Sequence, residues 1–369
     1  MKIATFNIEN LFHRDESLVK HPVSQNLKNW ITEFESLIMK VTRQEEDYSR
    51  MRELSFLLGF NKSALEPYVV MRRRAGLLYI RKPNATPEYK ASELSNWNGW
   101  IKVNTTPIHE TAIQHKARVI TEVNPDVLLV QEVEDRQSLV EFNEQFLPED
   151  VRFSNIMVLP GNDYRGQHMA VMTKMNYEIL SVWSHVNDSV DGSRIFEKDF
   201  HEYKIKAPNG DLSMLLSAHL QERRSEHEKD DSERKRQAQI LAERYNYYRS
   251  KGFNKIIVAG TFNAPSYCDS LSPLLRETDL IDIKQHSSFN VDLDHRDPSY
   301  FRLGAYRRGV NIRQRDYILI PEDLGVEVKD SGLNRKGIWP ERINQYGVFS
   351  TLQKKIHQAS SHPIIWVEY

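Results

Sequence analysis

Lys255-Ile256-Ile257-Val258-Ala259-Gly260-Thr261-Phe262-Asn263-Ala264-Pro265 is the stretch whose reading decides the fold. Four consecutive apolar residues, rich in β-branched side chains, run into Gly, Thr, Asn and Pro. That pattern describes a strand buried on both faces that stops at a polar loop. Polar groups collected at the end of a buried strand are the raw material of a site.

Working outward, the same form recurs. Lys2-Ile3-Ala4-Thr5-Phe6-Asn7-Ile8-Glu9-Asn10 is strand-like and presents Asn7 and Glu9 near its end. Asp126-Val127-Leu128-Leu129-Val130-Gln131-Glu132-Val133 is a fully buried strand ending on a carboxylate, and Leu212 to His219 is another, ending Ser217-Ala218-His219. Asn162-Asp163-Tyr164-Arg165-Gly166 leads into an apolar run, Met169 to Met172. Asp316-Tyr317-Ile318-Leu319 begins a strand, and Ser360-Ser361-His362-Pro363 precedes Ile364-Ile365-Trp366. Taken singly, each has a plain explanation: an Asn turn, a surface Glu, a structural His, a surface Arg.

Taken together and in this order, the stretches resemble the signatures of the endonuclease/exonuclease/phosphatase superfamily, the DNase I-like metal-dependent phosphoesterases. Gly260-Thr261-Phe262-Asn263 is similar to that family's Gly-Asp-Phe-Asn, with Thr261 in place of the Asp. Ser360-Ser361-His362 is similar to its Ser-Asp-His, with Ser361 in place of the Asp. The resemblance covers residues 1 to 12 and 106 to 369. It implies an α+β fold, a four-layer α/β/β/α sandwich of two packed, mixed, mostly antiparallel sheets with the site at strand ends on one edge. Residues 1–369 would form one such domain, with residues 13–105 a helical and β-hairpin insertion, a cap or substrate-contact element.

The resemblance also implies roles. Glu132 would be the principal ligand of Mg²⁺ or Mn²⁺ and Glu9 a supporting one, since hard cations take carboxylate oxygens. Asn7, Asn263 and His219 would bind the phosphate, Arg165 would lie near the substrate, and His362 with Asp316 would form a polarised imidazole dyad. In the family the metal polarises a phosphate, water attacks in line, and fixed polar groups stabilise the developing charge. Thr261 cannot act as a base near neutral pH, and loss of a general base typically costs on the order of 10²- to 10⁴-fold. The missing acid at Ser361 weakens the metal site as well. Three functions remain open: a divalent-metal-dependent phosphodiester hydrolase acting on DNA or RNA with His362 as base, a degenerate member that binds nucleic acid or nucleotide, and a phosphatase or phosphodiesterase on a small or lipid phosphate.

Inside the insertion, Trp30, Phe34, Leu37 and Val41 mark one helix and Met51, Leu54, Leu57 and Leu58 a second. From Tyr68 to Val103 seven Lys and Arg stand against two Glu, a local charge of +5, with Tyr and Trp interleaved. Arg72, Arg73, Arg74, Trp97 and Trp100 are the candidates there for phosphate contact and base stacking. A solvated hairpin, Val69 to Met71 against Leu77 to Ile80, explains the same residues equally well. After it, Thr106-Pro107 reads as a helix start, with Ile113, Ala117 and Ile120 as the inner face.

The totals set bounds. At 369 residues, 40% hydrophobic, 27% charged and net charge -1, the chain is neither disordered nor globally basic, so contact with a polyanion must come from local patches. One cysteine, Cys268, excludes an intramolecular disulfide and suits a reducing compartment. No signal peptide and no membrane-length apolar run is visible, which places the expected address in the cytoplasm. No obligate protein partner is evident.

Overall fold

The computed structural model describes residues 1–15, 25–40, 42–57, 70–73, 99–102, 105–163, 167–222, 227–291, 314–340 and 346–369. Its centre is two sheets. The first has, in spatial order, strands Phe289–Asn290, Asp330–Asn334, Ile364–Glu368, Lys2–Asn7, Val127–Val133, His168–Thr173 and Asn155–Leu159. The second runs Leu280–Asp282, Asp316–Pro321, Ile256–Thr261, Leu212–His219, Asp199–Lys206 and Glu178–Ser184. Both are mixed and mostly antiparallel; Lys2–Asn7 lies parallel to Val127–Val133, and Leu212–His219 parallel to Ile256–Thr261.

The unbroken apolar runs follow from the layering. Ile257 and Ala259 point into a core between the two sheets, shared with Ile3, Val127, Leu129, Val171, Leu215 and Ile318. Ile256 and Val258, one residue out of phase, point to the opposite face, under Ala238, Leu241, Ala242 and Tyr245 of the helix His227–Ser250. Leu128 and Val130 likewise face away from the inter-sheet core, against Ile113, Ala117 and Ile120 of the helix Glu110–Val123 and Leu139 and Phe142 of the helix Arg136–Gln145. Central strands such as Ile256–Thr261 and Val127–Val133 therefore bury both faces, while the edge strands Asn155–Leu159 and Glu178–Ser184 do not, and every fully buried large aliphatic contributes about 1.5–3 kcal/mol. The four layers are α/β/β/α.

The segment 13–105 leaves and rejoins this sandwich through a ribbon. His13–Asp15 pairs antiparallel with Thr105–Pro107, so entry and exit lie side by side. Between them, helices Gln25–Met39 and Glu45–Leu57 bury Phe34, Leu37, Met51 and Leu54, and Arg50 reaches Glu33 at 2.7 Å. Val70–Arg73 pairs with Gly99–Lys102, and the expected partner Leu77–Ile80 lies outside the described residues.

The expected helix start is corrected. Thr106-Pro107 does not begin a helix: it lies in the ribbon strand, and the helix starts at Glu110. His109 supplies the cap, its ring accepting the Thr111 N–H at 3.2 Å, a place usually taken by Ser, Thr, Asp or Asn. The stretch after Asn263 forms a 3₁₀ turn, Asp269–Leu271, and a single helical turn, Ser272–Leu275. Within the charge-rich helix His227–Ser250, Arg234 is buried and donates to the Gln221 carbonyl at 2.9 Å. Among the described residues no helix is long and apolar enough to cross a membrane.

A buried charge network flanks the second sheet. Glu202 accepts from Arg244 at 2.5 Å, from the Tyr248 hydroxyl, and from His185 at 2.8 Å, while His185 also reaches Asp188 at 2.6 Å. Burial alone would raise the Glu202 carboxyl, but those three donors hold it down at about 2, from an ordinary 4.5. Burial likewise opposes the charged form of His185, and Glu202 and Asp188 outweigh it and raise the imidazole above 6.5. The depressed acid stabilises the fold above pH 4.5 and that contribution disappears as pH falls towards 2. The raised imidazole contributes below pH 6.5 and loses its contribution as pH rises through its folded value. Thermal melting against pH checks this: Glu202→Gln should flatten the acid limb between pH 4.5 and 2, removing up to about 3 kcal/mol of pH-dependent stability.

Candidate active site

Strand register assembles the site. His219, Thr261 and Asp316 lie in one row across three neighbouring strands of the second sheet, His219 opposite Thr261 and Thr261 opposite Asp316. In the first sheet Asn7 lies opposite Gln131, so Glu132 follows at the strand end. His362 precedes the strand Ile364–Glu368 that pairs with Lys2–Asn7. Both sheets thus bring their polar ends to the same edge.

A chain of hydrogen bonds joins those ends. The Asn7 side-chain amide donates to Glu132 Oε1 at 3.0 Å and to Thr261 Oγ1 at 3.3 Å. Thr261 in turn donates to Asp316 Oδ1 at 2.9 Å, and Asp316 Oδ2 lies 2.7 Å from His362 Nδ1. A carboxylate only accepts, so Nδ1 carries the proton and the lone pair of His362 is on Nε2.

The backbone around the site is strained. Glu9, Asn10, Glu132 and Asn263 have φ of 49°, 62°, 60° and 56°. All four line one cavity of about 450 Å³, together with Arg14, Gln167, Glu222, Arg315 and His362. Left-handed conformations at non-glycine residues cost of order 1–3 kcal/mol each and persist only where neighbours fix them. Here the fixing groups are visible. A bulge in the pairing of Val127–Val133 with His168–Thr173 falls at Glu132, Asn10 N–H donates to the Glu132 carbonyl at 2.8 Å, and Glu9 N–H donates to Asn7 Oδ1 at 3.1 Å. Gly260, with φ 135°, has no room for a Cβ, which would stand 2.0 Å from the Ala218 carbonyl oxygen.

Charge is closely balanced. Glu9 accepts from Ser361 Oγ at 2.5 Å and from Arg14 at 3.3 Å, while Arg315 donates to Ser361 Oγ at 3.0 Å. Burial would raise the Glu9 carboxyl, but His362, Arg14, the Ser361 hydroxyl and Lys116 overcome it and hold the group at about 2. Lys116 is fully buried, donates to the Ile8 carbonyl at 2.5 Å and to the Ala359 carbonyl, and is lowered to about 7 by desolvation first and Arg14 second. Glu9 and Glu132, oxygen donors on one cavity with Glu9 ionised, suit a hard divalent cation.

Of the expected residues, Glu9, Glu132, Asn263 and His362 line the cavity, with Asp316 behind His362. Asn7 is buried, and its amide donates to Glu132 and Thr261. His219 is buried too, its Nε2 3.0 Å from Lys198 Nζ, and the Asn263 amide donates to the Leu220 carbonyl at 2.9 Å. Arg72 stands in register opposite Trp100. Arg74, Trp97 and Arg165 lie outside the described residues.

Sequence reasoning missed Lys116, Glu134, Lys198, Glu222, Arg14 and Arg315. Lys116 had a signal, a lone cation on the apolar stripe of Ile113, Ala117 and Ile120. Glu222 was hidden in a charge-rich run, and Lys198 has no motif about it. The carboxylate of Glu134 accepts the backbone N–H groups of Leu11, Phe12 and His13 at 2.7, 2.6 and 2.8 Å, shaping the loop that carries Glu9.

No family model matches the chain, and no curated protein matches it in sequence. Among solved structures it is similar to a mannosyl-6-phosphatase from Bacteroides thetaiotaomicron, at 14% identity over 70% of this chain and 91% of that one, with a TM-score of 0.45. It is similar also to truncated TDP2 from Caenorhabditis elegans, at 15% identity, 70% and 90% coverage and a TM-score of 0.43. A beta toxin from Staphylococcus aureus aligns at 16% identity, 71% and 93% coverage and a TM-score of 0.44.

The loop that carries Glu9 should respond to a single change. Glu134→Ala leaves three buried N–H donors without their acceptor, which should lower unfolding free energy by about 2–4 kcal/mol and speed hydrogen exchange at Leu11, Phe12 and His13 before the rest of the strand. Unchanged exchange at those amides would show that the loop is shaped by something else.

Proposed function

We propose that the chain is a divalent-metal-dependent phosphodiester hydrolase acting on nucleic acid, with His362 in place of the missing carboxylate base. The observation that carries this reading is that the His362–Asp316 dyad and two carboxylates, Glu9 and Glu132, line or back one open cavity. Glu132 and Glu9 would hold Mg²⁺ or Mn²⁺, which when bound polarises a phosphate oxygen and neutralises its charge.

The chain's own residues divide the remaining work. Asp316 fixes the His362 ring and its tautomer, so Nε2 has the lone pair needed to take a proton from an attacking water, the logic of a serine-protease dyad without the serine. Thr261 cannot share that role, because its hydroxyl hydrogen goes to Asp316 and its oxygen accepts from Asn7. Asn7 holds the Glu132 carboxylate in orientation. Arg14 and Arg315 line the cavity and supply positive charge for the non-bridging phosphate oxygens.

Nucleic acid is the proposed substrate because the segment 13–105 carries the basic, aromatic stretch from Tyr68 to Val103, and its attachment ribbon includes Arg14 of the cavity wall. That segment would be the substrate-contact element of a single domain 1–369. A binding module without chemistry is the second reading, favoured by the locked Thr261.

Hydrolysis of labelled single- and double-stranded DNA and RNA and of a bis-aryl phosphodiester, in Mg²⁺, Mn²⁺ or EDTA, separates the two. The enzyme reading expects metal-dependent turnover that falls roughly 10²- to 10⁴-fold in Glu132→Ala and His362→Ala. Turnover absent from the parent chain and appearing only in Thr261→Asp would establish the binding module. For the substrate class, DNA affinity should drop steeply with salt, and changing Arg72, Arg73 and Arg74 to Ala should flatten that dependence by nearly one unit of slope for each phosphate no longer neutralised. Salt-independent binding would count against nucleic acid.

A further inference from the structure

We infer that Lys198 is a built-in cation occupying a ligand set that would otherwise hold a metal ion. Glu132, His219 and Glu222 each offer one ligand atom, all within 4.8 Å of one another, a carboxylate–imidazole–carboxylate triangle of the kind that takes Mn²⁺ or Zn²⁺. Lys198 Nζ stands among them, 3.0 Å from His219 Nε2, 3.6 Å from Glu132 Oε1 and hydrogen-bonded to Glu222 Oε1. The three ligand atoms surround the same ammonium.

The chemistry of that ammonium explains the arrangement. Lys198 is only 4% exposed, and a charge so far from water must find counter-charges and acceptors. An ammonium has hydrogens to give and no lone pair, so His219 Nε2 presents its own lone pair to it, the lone pair a metal would use. A divalent ion placed in the triangle would meet a like charge within about 4 Å, at a cost of kilocalories even when well screened. Lys198 and a metal in this triangle are therefore mutually exclusive. Glu132 and Glu222 line the cavity, so the ammonium sets a fixed positive charge immediately behind the wall a phosphate would approach, with no ion to lose.

The triangle shares Glu132 with the Glu9–Glu132 metal of the proposed function but is a separate place, and it rests on that reading only in supposing a phosphate beside it. Mn²⁺ binding tests it, measured by electron paramagnetic resonance and titration calorimetry on the full chain, Lys198→Met, Lys198→Arg and Glu222→Gln, with folding checked by circular dichroism. Lys198→Met should gain one Mn²⁺ site over the parent, or tighten its weakest site by roughly tenfold or more, and Lys198→Arg should not. Glu222→Gln, a partly exposed change, should leave the parent's Mn²⁺ count unaltered, because the ammonium and not a metal sits on that carboxylate. Loss of a bound Mn²⁺ in Glu222→Gln overturns the inference, as does a folded Lys198→Met with the parent's count and affinity. A parent that binds no Mn²⁺, with Lys198→Met binding one, would instead fail the metal of the proposed function and leave Lys198 in its assigned place.

Discussion

Two sheets that bury their facing surfaces bring polar groups together at their strand ends. The hydrogen-bond chain from Glu132 through Asn7 and Thr261 to Asp316 and His362 joins those groups here. Its members alternate between sheets: Asn7 and Glu132 from the first, Thr261 and Asp316 from the second, His362 from the entrance to the first again. Every link is buried, so every donor left without an acceptor would carry a desolvation cost. The chain of bonds is at once the seal of the sandwich edge and the frame of the cavity, and a substitution in it disturbs both.

That dual role gives the two departures from the family pattern a structural meaning. Thr261 both donates and accepts within the chain, which an ionised Asp could not do, since it would face Asp316 with a second negative charge. Ser361 plays the same part in the outer wall, donating to Glu9 and accepting from Arg315. Neutral hydroxyls thus bridge existing charges where additional carboxylates would have added to them. The site contains Glu9, Glu132, Glu222 and Asp316 as acids, and Arg14, Lys198 and the His362 ring stand directly against them. A cavity built this way attracts a single hard cation less strongly than one with two further carboxylates, and repels a phosphate less.

What the sequence made legible was what depends on period and on strand ends. Runs such as Ile256 to Ala259 and Val127 to Val130 were readable because burial on both faces removes all polar residues, and the residues that terminate them fall at the edge by necessity. His109 as a helix cap was not readable, because an imidazole acceptor is an uncommon substitute for Ser or Asp. The left-handed turn at Glu132 was not readable either, since nothing in Gln-Glu-Val predicts a bulge. Lys198 and Glu134 act through partners 21 to 123 residues away in sequence, which no local pattern encodes.

The strained backbone links these two levels. Glu9 and Glu132 adopt left-handed conformations that Glu disfavours, Asn10 and Asn263 adopt the same region, which Asn tolerates, and hydrogen bonds to neighbouring groups hold them there. The same hydrogen bonds that seal the edge of the sandwich therefore also fix the backbone of the cavity wall. Four such residues line one cavity, with an ionised Glu9 and an imidazole oriented by Asp316 among its walls. For the hydrolase proposed above, such fixed groups would need little reorganisation as charge develops. Thr261 and Ser361 take part in that holding as neutral hydroxyls, each bonded on both sides.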